Sequence, residues 1–296
     1  MRTGTLARRF GWLLVALTAS ACQSTSGLVF SASELRSEVR HRAGDLAPIE
    51  IVVPYEVDGD PIERSRNAIE ALPPGEARVY ALVDLLSVPR PEGFGLRYRG
   101  SVTASARETL EHGEGNCVSL ASVLVALARG VGWKAYYAEA GVLRDEEVEG
   151  SEIEVRADHM VVVVEAAGVV RVVDFRAEEP LGGVRVIDDV TAYGHFVNNL
   201  GFERILGANR QKRAVPWRRV RDDFALAIAI SPGSARAWNN LGVALARMGQ
   251  DEEARNAYVR AQELDEDLSS AQRNLDILET RSTSGSGAGS SQLGSR

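Results

Sequence analysis

From Cys117 onward the apolar residues Leu120, Val123, Leu124, Leu127 and Val131 recur at helical spacing, and alanines fill several positions between them. That pattern predicts a helix buried nearly all round, because a surface helix keeps a polar face. Upstream, "DPIERSRNAIEAL" places Asp60 as a cap, Pro61 in the first turn and Ile62, Ala68, Ile69 and Leu72 on one face, which predicts a helix start. "GEARVYALVDLLSV" predicts a second helix, stopped at Pro89, and "SVTASARETLEHGEG" a third, ended by its glycines before Asn116. "PRPEGFGLRYRG" between them reads as a loop or edge segment, and Ile49–Val57 as a short strand stopped by Pro54. Beyond the central helix the period falls to two. "WKAYYAEAGVL" predicts a strand, and "HMVVVVEAAGVVRVVDF" places two β-branched runs either side of a small-residue turn, a hairpin signal. "GVRVIDD" adds a strand and "DVTAYGHFVNNLGFERILG" a helix. Helices first, then a central helix, then strands give an α+β domain over residues 49–209.

The pattern changes again over residues 210–280. "SARAWNNLGVALARMGQDEEARNAYVRAQELDED" carries Trp238, Leu241, Gly242, Ala254, Tyr258 and Ala261 at spacings that resemble a tetratricopeptide repeat, whose period is about 34 residues. Phe224, Ala227 and Pro232 fit the second half of a preceding repeat, and Leu275 takes the part of Leu241 in a following helix. The resemblance implies an all-α segment whose groove takes a protein partner. Residues 281–296 are rich in Gly and Ser and read as a flexible tail.

The N-terminus bears on compartment. Arg2, Arg8 and Arg9 precede the short apolar run "FGWLLVALTA", and small residues lead to Cys22, the layout of a signal peptide over residues 1–21. "Ala-Ser-Ala-Cys" resembles a bacterial lipobox, which implies a lipid on Cys22, a tether over residues 22–48 and a lipoprotein held at the membrane on the periplasmic face of the envelope. Gln23 after the cysteine favours the outer membrane by the same resemblance. An ordinary signal peptide with an unrelated cysteine is the alternative. Net charge is −7 and no long basic tract argues for nucleic acid. The basic stretch Arg210–Arg221 reads as a solvated helix face or as a contact for an anionic surface.

The chain has two cysteines, so a lipid on Cys22 leaves Cys117 without a disulfide partner. The scattered histidines and the absence of a Cys-x-x-Cys pair argue against a metal site, and no cofactor motif is present. At a helix N-terminus the unpaired N–H groups and the macrodipole favour a thiolate, yet cysteine is also a small buried hydrophobe, and both readings fit Cys117. The hairpin separates them. An even turn centred on Ala166 and Ala167 sets His159 opposite Asp174 on one face; a three-residue turn would place them on opposite faces. His112 lies too close in sequence to Cys117 and lacks an orienting acid, and His195 sits among aromatic neighbours.

"GNC" opening an apolar helix that continues through Leu120, Ala121, Leu124, Ala126, Leu127, Arg129 and Gly132, followed in order by His159 and a "VVDF" strand, resembles the transglutaminase-like branch of the papain-like superfamily. The resemblance implies a helix carrying the cysteine packed on an antiparallel sheet. It also implies Cys117 as nucleophile, His159 as general base and acid, and Asp174 as the group that orients it. Family members often carry an aromatic residue after the cysteine, where this chain has Val118. The implied activity is that of a cysteine protease or transglutaminase, a hydrolase or acyl transferase working on an amide of a protein or peptide. The alternative is an inactive scaffold for protein–protein interaction.

Overall fold

The computed structural model describes residues 13–16, 27–142, 159–166, 168–175 and 181–287. In chain order the elements are β1 (Leu13–Ala16), α1 (Ala32–Ala43), α2 (Asp60–Glu70), α3 (Glu76–Ser87), β2 (Arg97–Tyr98), α4 (Ala106–His112), β3 (Glu114–Gly115), α5 (Cys117–Gly130), β4 (Lys134–Val142), β5 (Met160–Ala166), β6 (Val169–Asp174) and β7 (Leu181–Val186). Five helices close the chain: α6 (Asp189–Arg210), α7 (Trp217–Ile230), α8 (Ala235–Arg247), α9 (Asp251–Leu264) and α10 (Ser269–Gly287). The fold is α+β, with an antiparallel sheet and a C-terminal helical segment. Residues 27–41, 48–142 and 159–196 form one compact unit, and 42–47 with 197–287 another. The division falls inside α6, between Phe196 and Val197, and not at residue 209.

In the first unit the sheet has five strands in the order β1-β6-β5-β4-β7, every pair antiparallel. The β5–β6 ladder runs from Ala166↔Val169 to Val162↔Val173, which centres the hairpin one position later than the sequence suggested. Gly168 has φ +83°, which the two-residue hairpin turn requires. The later turn moves the register by two, so Asp174 continues the ladder level with Val161, and His159 lies diagonally across from it. A shift by an even number leaves both on the same face. One face of the sheet gathers Ala138, Val161, Val163 and Val172. On the other, the Tyr137 hydroxyl donates to Ser122 Oγ of α5 at 2.9 Å.

Three expectations are corrected. Ile49–Val57 is no strand: Ile51 and Val53 are buried and Val52 is exposed, but the segment pairs with no strand among the described residues. Alternating burial occurs in any extended chain over a core, and a ladder also needs a neighbour with free N–H and C=O groups. Gly59, not Asp60, is the N-cap of α2. The described part of the stretch read as a tether, residues 27–48, is not a plain tether, since α1 buries Leu35 and Val39, one helical turn apart. The apolar run read as part of a signal segment contributes β1, whose backbone pairs with β6.

In the second unit α8 and α9 form one repeat, joined so closely that a Cβ at Gly242 would lie 2.5 Å from Tyr258 Cε1. The same device recurs between α6 and α7, where a Cβ at Gly201 would meet the Phe224 ring at 2.7 Å and Arg204 pairs with Asp223 at 2.5 Å. The half-repeat expected around Phe224 therefore has its first helix in the later part of α6. The linker 211–216 is longer than 248–250, which breaks the sequence period. Arg219 and Arg221 of the basic stretch pair with Asp223 and Asp222 on α7, as a solvated face does. Helix α10 runs on to Gly287, into the stretch read as a tail.

The C-terminal end of α5 is fixed by a buried ion pair in the first unit. Arg129 Nη1 and Nη2 each reach an Asp189 carboxylate oxygen at 2.8 Å, and Nε and Nη2 donate to Ala135 O at 3.0 and 2.9 Å. Asp189 also accepts from Phe30 N at 2.9 Å, and Arg129 lies over the Tyr55 ring, 5.1 Å from its centroid. Asp189 is 1% exposed, so removing its carboxylate strands a buried guanidinium. Asp189→Ala is expected to cost about 3–5 kcal/mol in urea unfolding. The pair of replacements Arg129→Met and Asp189→Leu, which removes both charges, is expected to recover most of that loss.

Candidate active site

The loop into α5 is shaped by backbone needs. Gly113, at φ +78°, ends α4 in the left-handed region. A Cβ on Gly115 would stand 2.6 Å from Ser119 Cβ, so the chain passes α5 too closely for any side chain. The short β2–β3 pairing then holds the loop, with Arg97 N donating to Gly113 O at 3.0 Å and Arg99 N to Gly115 O at 2.9 Å.

Asn116 caps the helix that follows. Its Oδ1 accepts from Ser119 N at 3.0 Å, and its Nδ2 donates to Thr103 Oγ1 at 2.9 Å. Ser119 Oγ accepts from Ala104 N at 2.8 Å. All of these groups are buried, so the cap is tied into the wall behind it and not only to its own helix. Cys117 is thereby set at the first helical position, where N–H groups lack an intrahelical acceptor. Residues Cys117 to Ala128 are buried without a break, as the sequence pattern predicted.

His159 immediately precedes β5, and its carbonyl accepts from Ala140 N at 3.2 Å. Its Nε2 is 3.2 Å from Asp174 Oδ2. The Cys117 side chain lies close enough to the ring to raise its basicity, and Nδ1 is buried without a hydrogen-bond partner. The structure thus brings together the three side chains named from the sequence. Cys117, His159 and Asp174 are 4%, 4% and 1% exposed. Burying three ionisable groups is costly unless they satisfy one another, and such clusters concentrate at functional sites.

Burial alone would depress the basicity of His159. The hydrogen bond to Asp174, reinforced by the Cys117 side chain, outweighs it and raises the pKa from 6.5 to about 9. At neutral pH the ring is therefore an imidazolium.

The rival histidines are placed elsewhere. His195, buried on α6, has Nε2 2.7 Å from Glu139 Oε1, and Glu139 also pairs with Arg185. His112 is the exposed last residue of α4. Cys22 lies outside the described residues. Of the anchors of α5, Asn116 and Arg129 stood in the sequence motif without this role, and Thr103, Ser119 and Asp189 were not singled out from sequence. Only Asn116, a strong N-cap type directly before the apolar run, carried a local signal.

The raised pKa links the site to stability. A basic group with a raised folded-state pKa contributes fully below its unfolded value of 6.5, and the contribution is lost as pH rises through about 9. The wild-type melting temperature is expected to fall between pH 6.5 and 9, while that of His159→Gln stays flat over the same window. NMR titration of the His159 ring is expected to give a midpoint near 9 in the wild type, shifted down toward 6.5 by Asp174→Asn.

Residues 71–171 match the transglutaminase-like superfamily, and residues 235–268 match the tetratricopeptide repeat. The first match contains Cys117 and His159 and ends three residues before Asp174. The second coincides with α8, α9 and the turn after them. No similar curated protein and no similar solved structure is found. The chain carries a transglutaminase-like domain followed by a tetratricopeptide repeat.

Proposed function

We propose that the transglutaminase-like domain is a cysteine-dependent amide hydrolase or acyl transferase acting on a protein or peptide in the bacterial envelope. The observation that carries the reading is His159, buried beside the Cys117 thiol and the Asp174 carboxylate and protonated at neutral pH. Cys117 Sγ attacks the carbonyl carbon of the amide and forms a C–S bond. The tetrahedral intermediate collapses as His159 gives its proton to the departing amine, leaving a thioester. The neutral ring then takes a proton from water or from a second amine, which attacks the thioester and releases the thiolate. Asp174 holds the ring in one orientation and stabilises its charged form. The helix start at Cys117 and its N–H groups favour negative charge on sulfur and on the intermediate. The tetratricopeptide repeat binds a protein partner, and a lipid on Cys22 keeps the protein at the membrane.

Alkylation of Cys117 by iodoacetamide tests the reading through its pH profile, which is independent of how easily the reagent reaches a buried sulfur. Below its pKa of about 8.5, an ordinary thiol reacts about tenfold faster for each unit by which the pH rises. A thiolate–imidazolium pair is expected to react at a nearly constant rate from pH 6 to 8, and His159→Ala to restore the ordinary slope. An ordinary slope in the wild type, unchanged by His159→Ala, overturns the enzyme reading and leaves the domain as scaffold for the repeat. The anchor has its own check. Cys22→Ser is expected to move the protein from the membrane fraction to the soluble fraction of envelope preparations, and an unchanged membrane fraction counts against acylation.

A further inference from the structure

A depression lies in the first unit and includes none of Cys117, His159 and Asp174. It has a volume of about 400 Å³ and opens between the start of α2, the end of α4 and the loop after α3. Three guanidinium groups, Arg64, Arg90 and Arg107, and three carboxylates, Asp58, Asp60 and Glu111, line it. We propose that this cleft binds the dipolar end of a free amino acid or short peptide, with Arg90 taking the carboxylate and Glu111 the ammonium.

The charges do not all cancel in place. Arg107 pairs with Asp58 at 3.3 Å and Arg64 sits 3.9 Å from Asp60. Among the described residues neither Arg90 nor Glu111 has an ion-pair partner. The cleft therefore offers one uncompensated positive group and one uncompensated negative group, with apolar surface from Val57, Pro61, Phe94 and Leu110 between the charged ones. A plain anion would meet three carboxylates, a plain cation three guanidiniums, and an apolar ligand would desolvate all six. A ligand with both charges and a small apolar middle satisfies the whole lining.

The guanidiniums are also held in advance. Arg90 donates through Nε to Phe94 O at 3.1 Å and through Nη2 to Leu110 O. These bonds leave Nη1 without a hydrogen bond among the described residues. Arg64 lies over the Phe94 ring, 4.7 Å from its centroid, while Nη2 donates to Pro91 O and Gly93 O at 2.7 and 3.0 Å. Fixing a rotamer-rich side chain before the ligand arrives removes an ordering cost from binding. Carboxylate recognition by a pre-set guanidinium edge follows.

Full-length protein carrying Cys117→Ala, which keeps the cleft intact and makes the outcome independent of the thiol chemistry, is titrated with L-alanyl-L-alanine and with its N-acetylated and C-amidated forms. Calorimetry reads affinity and backbone NMR reads location. Saturable binding with shifts at Phe94 and Glu111 is expected, weakened at least about tenfold by blocking either end, as loss of one charge-assisted contact implies. Arg90 braces backbone carbonyls, so the variant used is the exposed Glu111→Gln, which is expected to bind the free and N-acetylated dipeptides alike. Equal binding of all three forms, no saturation up to about 10 mM, unchanged discrimination in Glu111→Gln, or displacement of the dipeptide by equimolar inorganic phosphate overturns the proposal.

Discussion

Helix α5 is buried on every side, and that one constraint organises the transglutaminase-like domain. An all-apolar helix can be surrounded by side chains along its length, but its ends still present unpaired backbone groups that the interior must satisfy. Asn116 answers at the N-terminus, with Thr103, Ala104 and Ser119 drawn into one buried hydrogen-bonded cluster. At the C-terminus the last carbonyls accept from the N–H groups of Val131, Gly132 and Trp133, and Arg129 ties that end to Asp189 and the Ala135 carbonyl. The two ends are locked by groups from α6, from the loop before α4 and from the segment at Phe30, so the position of Cys117 along the helix axis is set by several parts of the chain at once.

That fixed cysteine acquires its chemistry from the other side of the core. His159 and Asp174 arrive on adjacent strands of a hairpin, where a diagonal relation brings Nε2 to 3.2 Å from the carboxylate. Water is largely excluded from all three side chains, and each charge–charge contact is stronger for it. Desolvation and pairing pull the imidazole in opposite directions, and the net shift to about 9 shows that pairing prevails. His195 offers a useful contrast: it is equally buried and also bound to a carboxylate, and its bond to Glu139 braces α6 against β4.

Much of this was legible in the sequence. Periodicity located α5, the hairpin and the repeat helices, because burial imposes spacing directly. The meeting of His159 and Asp174 followed from the parity of the hairpin, which tolerated a ladder centred one position later: the register moves by two and both side chains stay on one face. The same tolerance fails for features without a period. Extended backbone at Ile51 and Val53 looks like a strand until the absence of a partner is known. Residues separated by 60 positions, such as Arg129 and Asp189, leave no joint pattern in a single sequence. The uncompensated charges of the cleft at Arg90 and Glu111 were invisible for the same reason.

The C-terminal helices show how a repeat survives the loss of its sequence period. What defines the unit physically is one helix passing close enough to the next that a glycine must face an aromatic ring, as Gly242 faces Tyr258. Gly201 and Phe224 meet the same requirement across a longer linker, so α6 and α7 pack as a repeat does although the spacing no longer matches. Burial is conserved where the count is not: Phe224 and Tyr258 both vanish into one cluster with Val220, Val243 and Ala257. Helix α6 thereby has two allegiances, its first turn supplying Asp189 to the brace on α5 and its later part supplying Gly201 to the helical array. The boundary between the two units falls inside that 22-residue helix, so its two parts answer to different cores.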